Sequence, residues 1–317
     1  MSNVDKYPTN IYDPKTISVD GEEYTLFKAK FNSLYDLYSY LKSKPDINRC
    51  VFEELHSESN GSDFAGASYD KALEELIGPP RGEFSEFMKL SEGLNGIASD
   101  YVLEYINVSA PGGGYIDIPA YCSGNPYCYK TSRSVYTPKF IRMYITLSYN
   151  WCTNKKQVLN RALIVAALVN AFEKAGYIVE LNTFELSKCD DEVVNINVNI
   201  KNNDETFNKA SLFKTLCHVE FLRRILFRVL ETMDVENYGW QGTYGETTDE
   251  EFVREVLKLD ENDIFIDQPN RMDIGGKDIV KDFRNVLERL NLEGKIDVEE
   301  VSEEFKKEVA ILKRTIK

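Results

Sequence analysis

The sequence predicts an α/β fold: a Rossmann-like three-layer core, preceded by an α+β region and followed by charged C-terminal helices. Three observations carry that expectation. A strand-like run at 139–148 leads into a long apolar helix and then a second strand, the order of a strand–helix–strand unit. A third run, Val193–Ile200, alternates apolar and polar residues from Val194 onward. The rest of the chain falls into short segments punctuated by Gly, Pro and Ser.

Residues 1–110 form the N-terminal α+β region. Thr16–Val19 and Glu23–Phe27 flank Asp20-Gly21, a dipeptide suited to the positive φ of a tight hairpin turn. Ser33 can cap a helix carrying Leu34, Leu37, Tyr38 and Leu41. Ser57–Gly66 is polar and loop-like; helices are expected over Ser68–Ile77, stopped by Gly78-Pro79-Pro80, and over Glu83–Leu94.

Residues 111–138 read as a connector. Its glycines, Gly112–Gly114, lack the Gly-Lys-Ser/Thr ending that lets a phosphate loop open a helix. The next segment, Ile116–Tyr121 with Pro119 inside it, favours extended chain. A flexible connector fits better than a nucleotide cradle.

Residues 139–292 form the core. Lys139–Ser148 is the first strand, and Lys155–Ala175 is a helix apolar nearly all round between Ala162 and Phe172, so it must be covered on several faces. Tyr177–Leu181 is the second strand. In Val193–Ile200 the even positions are apolar and Asn195, Asn197 and Asn199 are polar, as in an antiparallel or edge strand. Phe207–Met233 reads as one long helix, Ile264–Ile266 as a short strand and Lys277–Leu290 as an amphipathic helix. Within residues 293–317, Val298–Ile316 carries an apolar stripe suited to docking on the protein's own core.

Charge narrows the function. With 38 basic and 52 acidic residues the net charge is −14, which repels nucleic-acid backbones and anionic membranes; keeping the protein soluble is its simplest role, and an acidic face for a basic protein partner or mimicry of nucleic acid is the sharper one. The longest apolar run has eight residues, Ala162–Val169, against the ~20 a membrane-spanning helix needs. None of the six cysteines forms a CxxC pair or sits at a zinc-finger spacing from histidine, so free thiols in a reducing compartment are expected.

Two histidines restrict catalysis. His56 lies in a polar stretch, and His218 follows Cys217 in a helical run, where adjacent side chains do not face each other. No GxSxG elbow, HExxH helix or EF-hand loop occurs, and no catalytic residue is assigned. Two binding candidates stand out. Arg224 and Arg228 share a helical face and could hold a phosphate or carboxylate, with internal ion pairing as the simpler role. Tyr238, Trp240 and Tyr244 in a Gly-rich segment offer either a recognition surface or a lid on the core.

Two resemblances add expectations. The segments Phe64-Ala65-Gly66-Ala67-Ser68-Tyr69-Asp70-Lys71-Ala72 and Ile118–Pro126, with the strand and helix after them, resemble elements of a group of bacteriophage and prophage proteins. This resemblance implies a phage origin and no particular reaction. The order strand, helix, strand, strand, helix also resembles a von Willebrand A-type domain, which binds a divalent cation through Asp-x-Ser-x-Ser after the first strand. The matching residues are Thr146, Ser148 and Asn150, with Asp267 at the other carboxylate position. The first aspartate is missing, and hard cations favour carboxylate oxygens, so a cofactor-free fold is expected, with Mg²⁺ or Mn²⁺ as the alternative.

The functional expectation is a phage-encoded, non-enzymatic protein acting by protein–protein contact in the host cytoplasm or in the virion. Self-assembly into a homo-oligomer is a second form of such contact. The competing expectation is a metal-dependent enzyme or ligand-binding domain at Thr146–Asn150, the strand end where sheets of this class place ligands.

Overall fold

The structure is a computed structural model and describes residues 10–49, 55–58, 66–99, 106–110, 115–133, 139–149, 153–174, 177–236 and 248–290. Along the chain run β1 (Ile11–Val19), β2 (Glu22–Phe31), α1 (Leu34–Lys42), α2 (Tyr69–Ile77), α3 (Phe84–Ser99), β3 (Ile106–Ala110), β4 (Tyr115–Ile116), α4 (Ile118–Cys122) and β5 (Tyr129–Arg133). There follow β6 (Lys139–Thr146), α5 (Lys155–Lys174), β7 (Tyr177–Cys189), β8 (Glu192–Lys201), α6 (Lys209–Leu216), a π-helical turn (Phe221–Leu226), α7 (Phe227–Glu231), α8 (Glu250–Leu257), β9 (Ile264–Ile266) and α9 (Ile279–Arg289).

Two turns build most of the main sheet. Asp20 and Gly21 both take positive φ, 50° and 82°, and close the β1–β2 hairpin as their sequence demands. Asp190, with φ 50°, turns β7 back antiparallel onto β8. The result is a six-stranded sheet in the order β1-β2-β8-β7-β6-β9. β2 runs parallel to β8, and β6 runs parallel to both β7 and β9. The architecture is therefore mixed α/β with helices flanking the sheet, compatible with a Rossmann-like fold. The expected N-terminal hairpin is part of the same sheet as the core strands.

One face of the sheet packs against most of the helices. Ala29, Ile145, Ile196 and Val198 meet the apolar sides of α1, α5, α6 and α9 in one large cluster. α5 lies at its centre, and Ala162–Val169 are all essentially sealed from solvent, as their unbroken apolar run requires. The opposite face carries a smaller cluster in which Val19, Tyr24, Phe184, Leu186 and Phe265 pack beneath Val253 of α8. Among the described residues no helix is long and apolar enough to cross a membrane.

Four elements differ from expectation for physical reasons. β7 runs to Cys189 rather than stopping at Leu181, because the β8 partner extends its ladder. β8 pairs antiparallel with β7 as expected, yet it is an inner strand and its Asn195, Asn197 and Asn199 are buried. Asn199 Nδ2 donates to Asn182 Oδ1 at 3.2 Å, which begins to satisfy this polar row. Pro119 does not sit in extended chain. It occupies the first turn of α4, where a missing N–H costs nothing, and Asp117 caps that turn by accepting from Ala120 N.

The single helix expected over Phe207–Met233 is broken. α6 ends at Leu216 with Cys217 as its cap, and the chain restarts as a π-helical turn before α7. Apolar side chains at helical spacings persist across the break, so the pattern alone conceals it. Val298–Ile316 lies outside the described residues.

Candidate functional site

β6 has β7 on one side and β9 on the other, both parallel to it, and α5 leaves from its carboxyl end. Sheets of this kind open a ligand crevice at such a point. Here the crevice is filled from within. Arg161 of α5 is fully buried, and its Nη1 donates to the carbonyls of Thr146 at 2.8 Å and Asp267 at 3.2 Å. Its Nη2 donates to the Tyr149 hydroxyl at 2.7 Å. One guanidinium thus ties the ends of β6 and β9 together. The five larger apolar side chains of Ala162–Val169, at roughly 1.5–3 kcal/mol each, anchor α5 firmly enough to carry that buried charge.

The loop after β9 closes over the same place. Gln157 Nε2 donates to Asn270 Oδ1 at 2.8 Å and to the Ile274 carbonyl at 2.9 Å. Asp282 accepts from Gly275 N, Gly276 N and Asn160 Nδ2, so α9 and α5 grip the loop between them. Gly276 has φ 75°, and a Cβ there would lie 2.9 Å from Gln157 N, which explains a glycine at that close approach.

Of the four residues expected at a strand-end metal site, Thr146 and Asp267 both offer their backbone carbonyls to Arg161 Nη1, and Ser148 follows Thr146 at the end of β6. Thr146 turns its Oγ1 back to accept from Ser148 N at 3.3 Å, and Ser148 is buried with an Oγ that finds no partner among the described residues. Asp267 accepts from Gln268 N at 2.7 Å and faces Arg271 at 3.4 Å. Burial raises its pKa, against the opposing pull of Gln268 N–H, Arg271 and Arg161. Asn150 lies outside the described residues. A dication here would face the fixed positive charge of Arg161, whose guanidinium already occupies the strand-end carbonyls.

Arg224 of the π-helical segment and Arg228 of α7 are also engaged internally. Arg224 Nε donates to the Ala67 carbonyl at 2.9 Å, and Nη1 donates to the Ser57 carbonyl at 3.2 Å. Arg228 donates to Ser57 Oγ at 2.9 Å, pairs with Glu58 and with Glu231, and lies 4.3 Å from the Tyr69 ring centroid. Together they fasten the short His56–Glu58 turn to the helix layer. Tyr238, Trp240 and Tyr244 lie outside the described residues.

Sequence reasoning missed a second cluster. The break after α6 turns His218 toward α2, where its Nε2 lies 3.9 Å from Glu75 Oε1 while its Nδ1 lies 3.3 Å from Glu220 Oε1. Burial disfavours the imidazolium, but Glu220, Glu75 and Glu83 outweigh it and raise the ring's pKa. Glu220 is lowered in turn: burial opposes its charge, while His218 and the N–H groups of Glu220 and Ala67 favour it. Cys217, beside it in sequence, has its thiol pushed up by burial, away from thiolate chemistry. His218 and Glu220 are visible as a His-x-Glu step, but nothing in the sequence points across to Glu75.

A model of a family described as a domain of unknown function, DUF7192, matches residues 12–294. The chain belongs to that family. No curated protein and no solved structure matches it. The DUF7192 match runs from the first hairpin through α9 and so takes in both clusters.

It also takes in a short arm. β3, β5 and β4 form a separate three-stranded sheet, with α4 and a turn between β4 and β5. On this arm Ile116, Ile118, Tyr121 and Tyr127 are exposed, Ile118 at 68% and Tyr121 at 61%. Residues 115–129 contain four tyrosines and a single charged residue, Asp117, in a chain where charge is otherwise dense. Aromatic enrichment with depletion of charge is the composition of an interface core.

Proposed function

We propose that this DUF7192 protein works by binding another protein, with the 115–129 arm as the contact surface, and that it does not catalyse a reaction. The observation that carries this reading is the exposed set Ile116, Ile118, Tyr121 and Tyr127 on the stretch 115–129, whose one charged residue is Asp117. Such side chains supply contact area at low conformational cost, and scattered singly they would need no explanation. The strand end supports the same reading, because Arg161 occupies the carbonyls a bound group would use.

The partner is an apolar protein surface rimmed by basic residues, since the chain that presents the arm carries a net charge of −14. Given the phage origin that the short motifs imply, that partner belongs to an infected host's cytoplasm or to the proteins of a virion. The finer likeness to von Willebrand A-type domains belongs to the same reading, as a binding fold without a cation at the Thr146–Asn150 strand end.

The test compares the protein with an Ile118→Asp/Tyr121→Asp variant as bait in extract from phage-infected cells. Both positions are exposed, so the variant keeps the fold. A stoichiometric partner retained by the unaltered protein and lost by the variant is expected. Equal retention by both proteins overturns the assignment to the arm. Capture of the protein's own chain alone, lost in the variant, replaces a foreign partner with self-assembly.

A further inference from the structure

α2 and the break after α6 bring three donor-bearing side chains from distant parts of the sequence to one point. Glu75 stands on α2, while His218 and Glu220 stand between α6 and the π-helical turn. One ligand atom from each residue lies within 4.8 Å of the other two. His218 Nε2 is buried and has no hydrogen-bond partner among the described residues. All three residues line a small pocket together with Ala72, Leu76 and Phe221.

We propose that Glu75, His218 and Glu220 bind a divalent transition-metal cation of the Zn²⁺ or Mn²⁺ class. The donor set selects that class. An imidazole with two carboxylates suits borderline cations, whereas Ca²⁺ and Mg²⁺ favour oxygen ligands throughout. Two carboxylates balance the dication's charge, and three protein ligands leave a further coordination position toward the pocket.

The carboxylates are held in place by backbone. Glu75 Oε1 accepts from Arg81 N at 3.1 Å, and Glu220 is held by the N–H groups of Ala67 and of its own residue. Carboxylates that ligate metals are commonly oriented by such outer hydrogen bonds. Glu220 is also wedged against Gly66, where an added Cβ would fall 2.2 Å from its Oε2. The adjoining π-helical turn is a rare conformation, often found where a helix must present a functional side chain. Lys214 lines the same pocket and feels the charge of Glu75, while its Nζ donates to the Gly78 carbonyl at 2.6 Å and to the Leu76 carbonyl at 3.3 Å.

This site is independent of the arm, so either assignment can fail without the other. The test is calorimetric titration of the metal-free full chain with Zn²⁺, Mn²⁺ and Mg²⁺, together with the visible spectrum of the Co²⁺ complex. One equivalent of Zn²⁺ or Mn²⁺ should bind in preference to Mg²⁺. The Co²⁺ complex should show weak d–d bands without thiolate charge transfer. Glu75→Gln, His218→Gln and Glu220→Gln should each weaken binding by at least about tenfold. Absence of stoichiometric binding, a thiolate band that assigns the metal to cysteine, or unchanged affinity in folded variants overturns the site.

Discussion

Glu185 stands in the middle of β7 opposite Ile196, on the face that packs against the helices, and neither carboxylate oxygen makes a well-formed hydrogen bond among the described residues. Burial raises its pKa from 4.5 to about 7, with the nearby Ser187 hydroxyl offsetting part of the effect. The raised value means the fold takes up a proton. Stability is therefore highest below the unfolded value of 4.5, falls as pH climbs toward about 7, and levels off above it. Glu185→Gln removes that slope. It should match the unaltered protein near pH ~4 and exceed it near pH ~8 by an amount on the order of 3 kcal/mol, read from urea unfolding. Arg161 makes the opposite case. Arg161→Met strands two buried carbonyls and should cost about 2 kcal/mol in the same assay; a neutral result would mean that burying the guanidinium costs as much as its bonds return. Neither residue announces itself in sequence. Glu185 sits within an ordinary alternating run, and Arg161 directly precedes the apolar block whose burial drags it inside.

Turns and caps translate almost directly from sequence to element, because a local residue choice fixes a local conformation. Asp20-Gly21 makes its hairpin, Ser33 caps α1 by accepting from Asp36 N at 3.1 Å, and Ile264–Ile266 forms β9. Tertiary partners decide the rest. β8 carries β7 on to Cys189, well beyond its expected end, and the π-helical turn interrupts a periodicity that looks continuous. Thr146 and Asp267 stand at the ends of neighbouring strands and share Arg161 through their carbonyls, and that helix residue lies outside the motif. Two glycines separate backbone strain from contact. Gly21→Ala suffers only its positive φ, since nothing lies within 4 Å of the new Cβ, and should cost about 1 kcal/mol. Gly66→Ala adds the collision with Glu220 and should cost at least about 2 kcal/mol, and it should also weaken metal binding at His218. Equal costs for the two, measured by urea unfolding, would remove Glu220 from its assigned position.

For the whole molecule, the sheet and helix layer form a stable body whose polar strand ends are closed by its own side chains. On the proposed reading, the chain's net charge of −14 and the exposed apolar side chains of residues 115–129 would divide the work of recognition. Charge would govern the rate of encounter, and the aromatic and aliphatic side chains would govern residence. Raising salt should therefore slow association with a basic partner while leaving dissociation nearly unchanged, as stopped-flow measurements at two ionic strengths would show. The most direct measurement is hydrogen exchange on the full chain with and without its captured partner. Protection concentrated in residues 115–129, with the strand-end segment 146–149 and the 267–278 loop unchanged, is the expected result. Protection at the strand end with an unaffected arm would contradict the account and return function to the crevice that Arg161 now fills.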